Sequence, residues 1–259
     1  MTDQDELLQL EQTLTVLLES HRADLILEKA HKILALDPHN RLAFIGLIIA
    51  YNRSQQYDLM LQACRDALAL WPDDDWLYHS LYLYYLNTGV DYLKGKEAIE
   101  KAIELNPSNA RYYRDLGEIY LINREADRAV KHLGKAVELA PDNAEFRSRL
   151  ALGLLRQHKV DESMKMAEGA LKDDPSDNEV LDTTGLIYAL AGELEKAENL
   201  FKSALRDRPT YQYFQKHLDL VFREKSDKES RMTRGMRYTP LYLRHKGGKL
   251  HFDEDATNV

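Results

Sequence analysis

The sequence predicts an all-α protein, a solenoid of antiparallel helix pairs, and three observations lead there. The first is composition: 259 residues carry only 12 Gly and 7 Pro, too few turn-formers for an all-β sandwich of that length. The second is a ruler. Pro38, Pro72, Pro107, Pro141, Pro175 and Pro209 stand 34, 35, 34, 34 and 34 residues apart, and a fixed period of this size marks a stacked repeat. The third is helical spacing between the prolines, as in Leu181, Thr184, Gly185 and Tyr188 at i, i+3, i+4 and i+7.

Taken in order, each proline closes one helix. Asn40, Asp74, Asn109, Asn143 and Asp177, two residues after the first five prolines, supply acceptors for the free N–H groups of the next helix. Within a unit a polar or glycine-bearing turn such as Ala191-Gly192-Glu193-Leu194 splits the apolar pattern in two, so each unit is a helical hairpin. The repeats fall at about 7–40, 41–74, 75–109, 110–143, 144–177 and 178–211. The third has one extra residue, expected to lengthen the turn between Asn87 and Lys96. After Pro209 the ruler stops, and Tyr211, Phe214, Leu218 and Val221 share one helical face. Residues 211–225 read as the capping helix that a stack needs over its last apolar face, which completes a solenoid over 1–225. Residues 226–259 then form a tail, basic from Arg231 through Arg234, Arg237, Arg244 and Lys246 to Lys249, and acidic at Asp253, Glu254 and Asp255.

These residues resemble the tetratricopeptide repeat family. In the sixth unit Gly185, Tyr188, Ala197, Phe201, Ala204 and Pro209 occupy the family's eighth, eleventh, twentieth, twenty-fourth, twenty-seventh and thirty-second positions. The fourth unit places Leu116, Gly117, Tyr120, Ala129, Leu133, Ala136 and Pro141 in the same register. Small residues let two helices approach where they cross, and the large ones fill the spaces between crossings. Leu14 and Ile26 in the first unit, and Ile48 and Met60 in the second, replace the expected small residues. The resemblance covers residues 7–209 and implies a right-handed superhelical solenoid.

Composition and motifs exclude several functions. Residues are 44% hydrophobic and 30% charged, the balance of a folded protein and not of a disordered one. The longest apolar stretch, Leu42 to Tyr51, is about half a bilayer span. The acidic start Met1-Thr-Asp-Gln-Asp-Glu is unlike a secretory signal, and the expected location is the cytoplasm. The single cysteine, Cys64, leaves no disulfide framework and reads as a core thiol. No nucleophile motif, phosphate loop or metal-ligand spacing is present, and the nine histidines are scattered over different repeats. The expectation is a non-catalytic protein without metal or cofactor. The acidic runs Asp73-Asp74-Asp75 and Asp173-Asp174 border the prolines, where helix capping accounts for them. A net charge of −8 argues against nucleic acid.

Stacked hairpins present a concave wall made from the first helix of each repeat. The resemblance implies that a bound peptide meets the second, fifth, ninth, twelfth and thirteenth positions. In the second and third repeats these include Leu42, Ile45, Ile49, Trp76, His79 and Leu83, an apolar stripe. In the fourth and fifth they include Arg111, Arg114, Glu118 and Arg156, with Arg149 adjacent, guanidinium groups suited to carboxylates. Burial by neighbouring helices is the alternative for the stripe, and pairing to Asp115, Glu118 and Glu145 is the alternative for the arginines. The chaperone-binding clamp of some relatives requires Lys and Asn at the fifth and ninth positions. Those positions here read Glu11/Thr15, Ile45/Ile49, His79/Leu83, Arg114/Glu118, Ser148/Leu152 and Asp182/Leu186, so that clamp is absent. The leading expectation is a scaffold, adaptor or assembly chaperone binding another protein through an extended or helical segment that carries acidic residues. A second class is a self-assembling protein, or one inhibited by its own tail, with Met236, Tyr238, Leu241, Tyr242 and Leu243 in the groove. An RNA-associated repeat protein working through the basic tail is the third.

Overall fold

The computed structural model describes residues 2–234, together with the backbone of 245–246 and 249–250. Among the described residues the helices are α1 (Asp3–Leu18), α2 (Ala23–Leu36), α3 (Arg41–Arg53), α4 (Tyr57–Leu70), α5 (Asp75–Thr88), α6 (Tyr92–Leu105) and α7 (Ala110–Ile122). They continue as α8 (Ala126–Leu139), α9 (Ala144–Arg156), α10 (Val160–Asp173), α11 (Asn178–Ala191), α12 (Leu194–Asp207) and α13 (Gln212–Thr233). The fold is all-α and solenoid-like; the strands are two-residue segments, β1 (His245–Lys246) antiparallel to β2 (Lys249–Leu250). Tail residues Met236, Arg237, Tyr238, Leu241, Tyr242, Leu243 and Arg244 lie outside the described residues.

The proline ruler acts through the residue before each proline. Ring sterics push that residue out of the helical region, and Asp37, Trp71, Asn106, Ala140, Asp174 and Arg208 all sit at φ between −130° and −140° with ψ between 70° and 95°. The next helix opens three residues after each proline, the first five times under a side-chain cap. Asn40 accepts from the Ala43 N–H at 3.1 Å, Asp74 from Leu77 at 3.2 Å, Asn143 from Phe146 at 2.9 Å and Asp177 from Val180 at 2.9 Å. Five of the six turns inside the pairs use one residue at positive φ: Gln55 (57°), Gly89 (64°), Arg124 (61°), His158 (64°) and Gly192 (90°). The extra residue of the third repeat lengthens the helix and not the turn. α5 has 14 residues against 13 in α3, and both are followed by three connecting residues, 89–91 and 54–56.

The chain divides into two compact units, Met1–Ser108 and Asn109–Val259. In the first, Leu14, Ile26, Ile33, Ile48, Met60, Cys64 and Leu77 form one buried core spread over α1 to α5. Arg53 on α3 closes the end of α1, donating from Nη2 to the Leu18 carbonyl at 2.9 Å and from Nη1 to that of Ser20. In the second, close approach is made at glycines: a Cβ built on Gly117 would stand 2.6 Å from Leu133 Cγ, and one on Gly185 2.5 Å from Phe201 Cζ. Leu133 and Phe201 are fully buried, so their bulk fills the space that the missing side chains leave. α13 buries Phe214, Leu218 and Val221 with Phe201 and Leu194 of α12. It runs on to Thr233, past the expected end at 225. The charged residues there support helix through the local pair of Arg231 with Asp227 at 2.9 Å, and Lys225 ties the helix back to Glu195 of α12 at 3.5 Å.

Candidate partner-binding surfaces

In the first unit the expected stripe lies on α3 and α5. Leu42, Ile45, Ile49, Trp76 and Leu83 are half-buried, and Leu42, Trp76 and Leu83 lean against the unit's core. Each keeps part of its apolar surface in water. His79 differs: it is 6% exposed and its ring lies 5.8 Å from that of Tyr82. Three exposed apolar residues lie at the end of α5, in its turn and at the start of α6: Leu86 (48%), Val90 (72%) and Leu93 (67%). Leu86 stands at the twelfth position of its repeat, so the same ruler points to it.

In the second unit the arginines have different fates. Arg111 is exposed. Arg114 lies 2.9 Å from Asp115 and 3.3 Å from Glu145. Arg149 bridges two carboxylates, Glu118 at 3.6 Å and Glu179 in a short contact. Burial works against the Arg149 charge, but Glu118, Glu179, Glu145 and Asp182 together outweigh it and raise its pKa above the ordinary value. Arg114 and Arg149 are thus held by their own unit and do not stand ready for a partner's carboxylate.

Glu118, Arg149 and Arg156 do meet, around a cavity of about 230 Å³. Its polar wall adds Arg124, Glu179, Asp182, Tyr211 and His217, and its apolar wall is Leu121, Ile122, Leu152 and Leu186. The Tyr211 hydroxyl donates to Glu179 Oε1 at 3.2 Å, and His217 Nδ1 lies 2.7 Å from Asp182 Oδ1. Burial, with the charges of Glu179 and Asp182, raises the Tyr211 pKa. Arg156 is shifted the other way, lowered first by burial and further by the positive charge of Arg124, against the attraction of Glu118. Arg124 belongs to the turn between α7 and α8, and Arg156 to the last turn of α9. The sequence reading missed Glu179 and Asp182, although they hold the second and fifth positions of the sixth repeat. Tyr211 and His217 come from the capping helix and its start, which no repeat position flags. Among the described residues there is no group of three or more His, Cys, Asp or Glu able to hold a metal ion, and no helix long and apolar enough to cross a membrane.

Two tetratricopeptide-repeat family models match the chain, one over residues 91–144 and one over 120–186. Residues 91–186 carry the tetratricopeptide-repeat pattern. The matched span holds Gly117, Leu133 and Gly185, whose contacts set the helix approach in the second unit. Solved tetratricopeptide structures share the fold across most of the chain. A structure of Pseudomonas aeruginosa pilF is 14% identical with a TM-score of 0.67, covering 82% of this chain and 96% of that one. Cut9–Hcn1, an APC/C hetero-tetramer, gives 16% identity and a TM-score of 0.72, with 83% of this chain matched to 42% of that one. YrrB, described as a TPR protein with an unusual peptide-binding site, gives 20% identity and a TM-score of 0.52 over 72% of this chain and 95% of that one. At these identities the likeness is one of fold. No curated protein matches the sequence.

Proposed function

We propose that this tetratricopeptide-repeat chain is a non-catalytic scaffold, an adaptor or assembly chaperone, that holds a segment of a partner protein against the first helices of its repeats. One observation carries the reading. α3 and α5 already supply a buried core through Leu47, Ile48 and Leu77, yet Ile45, Ile49, Trp76 and Leu83 keep apolar surface in water. A helix that is apolar beyond its core-facing stripe has a second surface to cover. Repeat proteins of this kind bind through such extended walls, and the peptide-binding site of YrrB is a precedent on the same fold. The test is capture of partners on the full chain, repeated with Ile45→Asp and with Trp76→Ala. A specific partner should be lost with both variants, each of which must keep parental helicity. Retention of every captured partner by both variants removes the reading. In the second reading the tail, residues 226–259, takes the place of a partner. It carries seven basic and five acidic residues while the whole chain stands at −8, so it is opposite in sign to the rest. Removing it should then change the mass of the particle in solution or increase partner capture.

A further inference from the structure

The net charge of the chain is not spread evenly. Residues 1–108 hold 17 acidic and 9 basic side chains, a net of −8, whereas residues 109–259 balance at 26 of each. The acidic unit is also the one with the apolar stripe. Its first helices run side by side in one direction. At one end Asn40, the cap of α3, donates to Glu11 of α1 at 2.6 Å, and Arg41 meets Asp74, the cap of α5, at 2.6 Å. At the other, Arg53 reaches the Leu18 carbonyl at 2.9 Å and Asn87 donates to Asn52 at 2.8 Å. Leu8, 57% exposed, Leu42 and Trp76 are therefore in register on adjacent helices, each the second residue of its repeat. Charge is sorted along this wall. At the proline-loop end one neutral amide, Asn40 Nδ2, is shared by Glu11 at 2.6 Å and Asp37 at 3.3 Å, which brings two carboxylates together. Asp73 adds an exposed negative charge there; Lys101, which feels it, pairs with Glu104 at 2.9 Å. At the turn end Asn52 and Asn87 bond each other, Arg53 is held by backbone carbonyls and Leu86 is exposed.

We infer that the wall of the first unit takes a partner segment of apolar residues ending in lysine or arginine. Its apolar side chains lie over Leu42, Ile45, Ile49, Trp76 and Leu83, and its cations stand beside Glu11, Asp37 and Asp73. This rests on the scaffold reading for the source of the segment. It concerns the first unit alone, where the expectation of an acidic segment, drawn from arginines of the second unit, does not apply. Apolar burial supplies the affinity and is indifferent to the sign of a charge; the field of an acidic unit selects and steers. Glu11 and Asp37 repel each other across a neutral group, and a cation beside them relieves that repulsion. It can do so with both bonds to Asn40 intact, because a carboxylate offers about four acceptor sites. An acidic segment would meet like charge at the same place.

The experiment is a backbone-amide NMR titration of the full chain with acetyl-Leu-Leu-Ala-Leu-Lys-Lys-amide and with the same peptide ending in Gln-Gln or in Glu-Glu. The expected result is a saturable shift within residues 42–49 and 76–86, with affinity falling in the order Lys, Gln, Glu. The Lys peptide should bind about tenfold more tightly than the Glu peptide in dilute buffer, a few-fold for each exposed charge, and the gap should close at 1 M salt. Glu11→Gln with Asp73→Asn should remove most of the Lys preference and leave the Gln peptide unchanged. Asp73→Asn alone, on an exposed side chain, should remove part of it, which keeps the measurement open should Glu11→Gln disturb the α3 cap. Trp76→Ala should weaken all three peptides alike. A Glu peptide that binds as well as the Lys peptide would overturn the inference. So would a Lys preference indifferent to salt or to the acidic variants, shifts confined to residues 109–234, or no binding by any peptide. A full chain that sediments as a dimer and is dissociated by the Lys peptide would give the wall to a second copy, and would overturn a foreign segment. Partner capture lost with Trp76→Ala beside an inverted peptide order sinks the basic segment and leaves the scaffold standing. Capture that ignores Trp76 sinks the scaffold, and the peptide order then decides the chemistry of the wall alone.

Discussion

At the residue scale the close contacts of the second unit leave almost no freedom. Phe201 Cζ lies 2.5 Å from where a Gly185 Cβ would stand, and Phe201 is fully buried. Gly185→Leu should therefore overpack the pair and cost about 1–3 kcal/mol or more, read as a lower melting temperature; an unchanged melting curve would remove the crossing from that position. Cys64 tests the first unit in the same way. It is fully buried on α4, and burial pushes its thiol from 9.0 up to about 12. Because the folded pKa is raised, the contribution of the thiol to stability is complete below pH 9 and falls away as the pH rises towards 12. Native chain should resist an aromatic disulfide reagent at pH 8 and react on unfolding. Rapid labelling of the folded chain would show that the α4 core opens.

At the element scale α13 is the test case. It covers Phe201 and Leu194 of α12 with Phe214, Leu218 and Val221, and Phe201 and Phe214 ring centroids are 6.3 Å apart. Deleting residues 211–225 should speed hydrogen exchange throughout 178–209 and promote aggregation, since an uncapped repeat opens from its end. Unchanged exchange there would deny α13 the capping role. This element also shows how far the sequence could be read. The period placed the helix starts because proline sterics and Asn or Asp caps are local chemistry, visible in a few adjacent letters. The end of α13 was not visible, because the change at Ser226 is one of charge, and charged residues make good helix when they pair i to i+4, as Asp227 and Arg231 do. The candidate site divides along the same line. Ruler positions identify which residues lie on first helices, and Glu118, Arg149 and Arg156 do share one cavity. Which of them is already neutralised depends on Glu145, Glu179 and Tyr211 in neighbouring elements, a matter of tertiary distance that no spacing within one helix encodes. His79 lies buried with its ring beside that of Tyr82, a placement that its position in the repeat does not encode.

For the whole molecule the two surfaces should answer differently to salt. Trp76→Ala removes buried apolar area worth roughly 1.5–3 kcal/mol, and its deficit in partner affinity should be the same in dilute buffer and in 1 M salt. Arg111 is exposed, so Arg111→Glu should weaken an acidic partner at low ionic strength and fade at 1 M, where the Debye length is about 3 Å. Identical salt dependence for both variants would mean that one kind of force, and not two, holds the partner.

The recurring backbone geometry ahead of each proline has a consequence for inheritance. Because the joints are alike, a whole 34-residue block can be copied in register. Residues 110–143 begin after Asn109 with Ala110, and end in Asn143 followed by Ala144. A tandem duplication of that block would meet itself at the same Asn-Ala junction that already starts α7 and α9. The copied segment would bring its own stop, cap and glycine contact, with no loop to redesign. Its termini are not interchangeable in this way: the Thr2–Asp5 capping box and the apolar face of α13 each occur once among the described residues. Growth by unequal recombination is therefore open to the interior of the chain.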